Sequence, residues 1–194
     1  MRRVIPDDAI LVPDHAECVF KGVIFDVYQW PQQLFDGSHA TFEMLKRPDT
    51  VKTIAIKDNA IIMLDEQQPH GGSGFELPGG RHDVPSEDEL ACAKRELLEE
   101  TGMSFKNWRL LSVYQPAPKV EAFVYIFLAT EFLEQTTPHT DAGEKITLHP
   151  VSFDTFLSLA RDPRHGTYLP LHVLDQAGSL QGLLQLPSYS NKNE

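Results

Sequence analysis

Residues 79–103 read GGRHDVPSEDELACAKRELLEETGM, and within them Arg95-Glu96-Leu97-Leu98-Glu99-Glu100 places four charged side chains in six consecutive positions. Carboxylates on adjoining turns of a helix repel one another unless they share a counter-cation. The local signals predict such a helix. Ser86 and Glu89 have the Ser-x-x-Glu spacing of a capping box, Glu87 and Asp88 fall where the helix dipole favours acidic side chains, and Gly102 is the expected stop. At about 100° per residue, Glu96, Glu99 and Glu100 share one face within a turn. Leu90, Ala93 and Leu97 form a separate apolar stripe suited to burial. Extrapolating the same helix puts Glu87 almost opposite the three carboxylates. Several carboxylate oxygens on one face suit a hard divalent cation such as Mg²⁺, with Mn²⁺ as a substitute, that also binds water and phosphate.

Outward from this helix the chain alternates strand signals and turns. Residues 18–30 (CVFKGVIFDVYQW) and 38–46 (SHATFEMLK) read as two strands about the turn Phe35-Asp36-Gly37-Ser38. Residues 51–57 and 60–65 read as a second pair joined at Asp58-Asn59, followed by a glycine-rich loop over 67–74. Beyond the helix, 108–115 and 122–130 read as strands, the latter so apolar that a central position is expected. Pro116 and Pro118 restrict the loop between them. A loop over 133–145 leads to a short strand at 146–151. Ser152 then caps a helix to about Arg161, and a last amphipathic helix spans 168–186.

With 194 residues the chain accommodates one domain with a substantial core and a small appended sheet. The formal charge of −11 argues against a nucleic-acid surface, which needs clustered Lys and Arg. An acidic enzyme acting on phosphates needs cations to offset repulsion, and the carboxylate cluster is where they would bind. Cys18 and Cys92 form no Cys-x-x-Cys pair, which points to a reducing compartment and a cytoplasmic location. The N-terminus has no apolar signal core and no run reaches membrane-spanning length, so no membrane partner is expected.

The central stretch resembles the Nudix hydrolases, whose motif is Gly-x5-Glu-x7-Arg-Glu-U-x-Glu-Glu-x-Gly-U with U aliphatic. Glu87, seven intervening residues and Arg95 through Met103 match position for position. The departure is at the front, where six residues rather than five separate Gly80 from Glu87. The resemblance implies an α/β fold: a Nudix α/β/α sandwich with a mixed sheet over residues 49–187, an N-terminal antiparallel unit over 1–48, and a flexible tail over 188–194. Within the family the chain is most similar to ADP-ribose and nucleoside-diphosphate-sugar pyrophosphatases. Glu76-Leu77-Pro78-Gly79-Gly80 resembles their Glu-Leu-Pro-Ala-Gly segment, and Pro116 through Glu121 resembles Ser-Pro-Gly-x-x-x-Glu, with Gln115 and Ala117 in place of Ser and Gly. Their Arg-Gln-Tyr-Arg stretch is replaced by Asp65-Glu66-Gln67-Gln68, which removes charge-assisted phosphate contacts.

The resemblance implies Mg²⁺-dependent hydrolysis of a nucleoside diphosphate linked to a sugar. Glu96 and Glu100 are the principal metal candidates, Glu99 bridges or holds a second ion, and a backbone carbonyl of Gly79 or Gly80 completes the set. Arg95 orients a glutamate. Glu144 is the candidate base that activates water, and as an exposed loop carboxylate it is equally read as structural. Glu76, Glu121, Phe75 and Tyr28 are candidate substrate contacts, although lone aromatics beside strands are more often core. A homodimer by exchange of N-terminal strands is implied, while an intramolecular hairpin satisfies the same pattern. The alternatives are a Nudix hydrolase of dinucleoside polyphosphates or damaged nucleoside triphosphates, and a nucleotide sensor that does not cut.

Overall fold

The computed structural model describes residues 4–69, 73–140, 143, 145–162 and 169–190. The N-terminal strands are β1 (Glu17–Lys21), β2 (Asp26–Gln33) and β3 (His39–Lys46), paired antiparallel in that order. Residues 18–30 are thus a hairpin and not one strand. Its turn is closed by the Gly22 N–H donating to Phe25 O at 3.1 Å. Apolar residues run straight through that turn and mask it, yet Val23 at its tip is fully exposed.

The larger sheet contains β4 (Asp49–Lys57), β5 (Ala60–Gln67), β6 (Ser73–Glu76), β7 (Arg81–His82), β8 (Met103–Tyr114), β10 (Val124–Gln135) and β11 (Lys145–Val151), with β9 (Val120–Glu121) lying elsewhere. Its main order is β11-β5-β4-β10-β8. β10 pairs parallel with β4 and antiparallel with β8, so the sheet is mixed. Asp58 and Asn59, with φ of 52° and 61°, make the tight β4–β5 turn that those residue types favour. β9 falls inside the proline-rich loop, where no strand is expected, and joins the N-terminal sheet beside β3. The smaller sheet therefore draws on residues well outside 1–48.

Both faces of the larger sheet are covered. Helix α1 (Glu89–Thr101) packs Cys92, Ala93 and Leu97 against one face, meeting Val51, Phe123, Tyr125 and Phe105. Helices α2 (Phe153–Arg161), α3 (Leu171–Ala177) and α4 (Leu180–Gln185) cover the other, over Ile54, Val124, Ile126 and Leu128. Alternate residues of β10 thus enter different cores, which explains why its sequence is continuously apolar and its position central. Ser152 caps α2 as expected. The single helix expected over 168–186 is two, because Gly178 at φ 64° ends α3 and the Ser179 side chain caps α4. No helix among the described residues is long and apolar enough to cross a membrane.

Candidate active site

The start of α1 differs from the capping-box reading. Asp88, not Ser86, is the N-cap, its carboxylate accepting from the Ala91 N–H at 2.8 Å, while Gly102 closes the helix in the left-handed conformation at φ 70°. Glu87 therefore lies outside the helix, and extrapolation of helical phase misplaces it. The 84–87 turn, closed by Glu87 N–H on Val84 O at 3.1 Å, brings its carboxylate to Arg95.

Arg95 gathers the acidic side chains. Its Nε donates to Glu87 at 2.9 Å, and Nη1 donates to Glu96 at 2.8 Å and Glu99 at 3.0 Å. The hydrogen bond to Glu87 holds the guanidinium firmly protonated, against burial. The charge-assisted fork thus balances three carboxylates at once.

The glycine loop runs between α1 and β4 with no room for side chains. A Cβ on Gly80 would lie 2.6 Å from Glu96 Oε2, and one on Gly79, at φ +139°, would lie 2.1 Å from Val51 O. The Gly79 N–H donates to Glu100 Oε2 at 2.7 Å. Burial pushes the Glu100 carboxyl up to about 8, against the opposing pull of Lys52 and the Gly79 N–H. A cation beside it would favour the carboxylate again.

Glu66, Glu76, Asp83, Glu96, Glu99 and Glu100 line a cleft of about 580 Å³ together with Arg47, Lys52, Arg81 and Arg95. Six acidic groups against four basic ones leave a negative excess, and all six offer hard oxygens. That donor chemistry fits a divalent cation of the Mg²⁺ type. Among the described residues no three such side chains already surround one point, and Glu96 and Glu99 both pair with Arg95.

The other expected residues divide. Glu76 lines the cleft and pairs with Lys52 Nζ at 2.6 Å. Tyr28 lines an adjoining hollow of about 730 Å³ that shares Ile24 and Arg47 with the cleft. Glu121 is not brought to either: it is buried, paired with Lys46 at 2.6 Å and accepting from the Val12 N–H at 2.7 Å. Phe75 also stays away, its ring 4.7 Å from that of His149. The reason is strand alternation, which sends neighbouring Phe75 and Glu76 to opposite faces. Glu144 lies outside the described residues.

Sequence reasoning missed Lys52, Arg47, Arg81 and Glu66. Lys52 is the one Lys or Arg among seven successive buried residues of β4, Asp49 to Ala55, a burial that only the packed structure shows. Burial opposes its charge, but Glu76 and Glu100 outweigh that and raise its pKa.

A NUDIX domain matches residues 46–171, and the chain belongs to this family of pyrophosphate-bond hydrolases. It is 29% identical over 148 residues to an ADP-ribose pyrophosphatase of Bacillus subtilis (strain 168), an alignment covering 74% of this chain and 79% of that one. A methanol dehydrogenase activator of Bacillus methanolicus is 25% identical over 152 residues, covering 76% and 82%. A crystal structure of an ADP compounds hydrolase superposes with a TM-score of 0.69, covering 87% of this chain and 94% of that chain at 22% identity, which supports the fold.

Proposed function

We propose that this chain is a Mg²⁺-dependent pyrophosphatase that cuts a nucleoside diphosphate linked to a sugar, of the ADP-ribose type, into a nucleoside monophosphate and a sugar phosphate. The observation carrying this reading is the convergence of Glu96, Glu99 and Glu100 with the Gly79-Gly80 loop on one cleft. The similarity to the Bacillus subtilis enzyme supports this substrate class.

A bound divalent cation would neutralise phosphate oxygens and lower the pKa of the attacking water. Glu96 and Glu100 would hold it, with Glu99 free to turn, since its side chain is 44% exposed. Arg95 restrains the carboxylates and limits their mutual repulsion before the cation arrives. Arg47 and Arg81, both on the cleft wall, supply positive charge for the diphosphate that the missing Arg-Gln-Tyr-Arg stretch does not. Tyr28, which lines the adjoining hollow, and Glu76, which lines the cleft, are assigned to the base and the sugar on the basis of the family resemblance. We assign proton acceptance from water to Glu144 on the basis of the family resemblance.

We further propose a cytoplasmic homodimer built on the 1–48 strands, with 49–187 as the hydrolase domain and 188–194 as a tail. The free cysteines fit a reducing compartment. The exposed outer strand β1 is a surface on which a second copy can pair.

The reading is tested by incubating the protein with Mg²⁺ and ADP-ribose, GDP-mannose, UDP-glucose, dinucleoside polyphosphates or deoxynucleoside triphosphates. Products are followed by chromatography. Turnover of a sugar-linked diphosphate is expected, falling at least roughly a hundredfold in Glu100→Gln. Nucleotide binding without turnover would support a sensor instead. Undiminished turnover in the variant would remove Glu100 from the metal set.

A further inference from the structure

The hollow of about 730 Å³ beside the cleft contains a carboxylate that nothing in the fold employs. Glu89, the first residue of α1, lines this hollow and is only 9% exposed. Among the described residues its side chain makes no hydrogen bond or ion pair, and its oxygens are not sealed from solvent. The capping box expected from the sequence would have engaged it, but Asp88 caps the helix instead. The helix dipole accounts for an acidic residue in the first turn, not for one buried without a donor. Neighbouring carboxylates differ. Glu87 pairs with Arg95, Asp88 accepts from the Ala91 N–H, Asp49 accepts from the Phe123 N–H, and Asp26 is partly exposed. The cations of the hollow turn elsewhere, Lys46 to Glu121 at 2.6 Å and Arg47 Nη2 to Thr50 Oγ1 at 3.1 Å.

A carboxylate presents two acceptor oxygens side by side, which match two adjacent donors on one rigid group. Tyr28, Pro48 and Pro85 line the same hollow and supply flat walls for such a group. The hollow shares Ile24 and Arg47 with the cleft, so a substrate whose diphosphate lies in the cleft can place an adjoining half here. We propose, on the reading of this chain as a pyrophosphatase of sugar-linked diphosphates, that Glu89 sets specificity by accepting two hydrogen bonds from adjacent donors on that half. Two substrate groups carry the pattern: the N1–H and 2-amino edge of guanine, and the vicinal hydroxyls of a sugar. A group that presents acceptors or negative charge there strips water from the carboxylate without replacing it, and is rejected.

Kinetics with Mg²⁺ on wild type and Glu89→Gln test this in two arms. The base arm compares GDP-mannose with its inosine analogue, which lacks the 2-amino group. The sugar arm compares each substrate that is turned over with its 2-deoxy-sugar analogue. In one arm, wild type is expected to favour the parent at least roughly tenfold in kcat/KM, carried by KM. Glu89→Gln exchanges one acceptor for a donor at the same length. It should erase that preference by raising KM for the parent, with kcat kept within about twofold. The arm that responds identifies the group. Wild-type indifference in both arms overturns the proposal whether or not the variant folds. A folded variant that loses parent and analogue equally, or loses neither, overturns it too. Absence of turnover of any sugar-linked diphosphate would instead sink the underlying reading, and this inference with it.

Discussion

Two cations divide the work among the acidic side chains of the cleft. Arg95 faces outward and holds Glu87, Glu96 and Glu99, whereas Lys52 lies beneath and holds Glu76 and two loop carbonyls. Without them, the carboxylates would repel and the glycine loop would lose its anchors before any metal arrived. Cys92 lies close by, and burial pushes its thiol up to about 12, with Glu96 adding to the effect. It should be unreactive, because the thiolate is the attacking form. Cys18 is exposed. Titrating the native protein at pH 8 with a disulfide reagent should therefore consume about one equivalent quickly, and a second only after unfolding. Two fast equivalents in the native state would contradict the buried placement of Cys92. The positions of Glu96, Glu99 and Glu100 were legible in the sequence because helical phase is local. Glu87 was not, since its placement depends on a turn that lies before the helix.

Local chemistry also separates the two candidate caps of α1. Asp88 accepts from the Ala91 N–H, so Asp88→Ala should cost about 0.5–2 kcal/mol while Ser86→Ala should cost little. Chemical denaturation of both variants checks this, and equal losses would mean the cap is shared. On the opposite face of the sheet, α3 is tied to β8 through His172 Nε2 and Ser112 Oγ at 2.7 Å. Partial burial lowers the His172 pKa below its usual 6.5. Between the folded and unfolded values the unfolded chain binds more protons, so this contribution is present above pH 6.5 and lost as pH falls below it. Measured from pH 7.5 to 5.5, wild type should lose more stability than His172→Gln. A constant difference between them would show that His172 does not carry the effect. Helix ends and strand positions were legible where Gly, Ser, Asp or unbroken apolar runs marked them. The β1–β2 turn was hidden by its own apolar residues, and β9 gains strand form only by pairing with β3.

The N-terminal sheet carries the edge on which the proposed homodimer would form. β1 forms an outer edge, its five residues all exposed, with Val19 47% and Phe20 60% accessible. An exposed apolar edge is a pairing surface, and light scattering should return twice the mass of 21.9 kDa. A single-chain mass at micromolar concentration would remove the dimer. Charged substitutions at Val19 and Phe20 should dissociate it, leaving the cleft's carboxylates in place. Within 79–103 the order of residues alone was enough to specify the carboxylate face, the glycine stop and the family, because one helical turn brings those groups together whatever surrounds them. The strand alternation likewise announced a sheet with a buried centre. Which side chains enter the cleft was decided only by tertiary packing. Lys52, Arg47 and Glu66 come to α1 from strands and loops distant in the chain, while Glu121 is drawn away by Lys46 and the Val12 N–H. Those placements depend on how two sheets pair and close around one helix, and periodicity along a chain carries no record of partners across space.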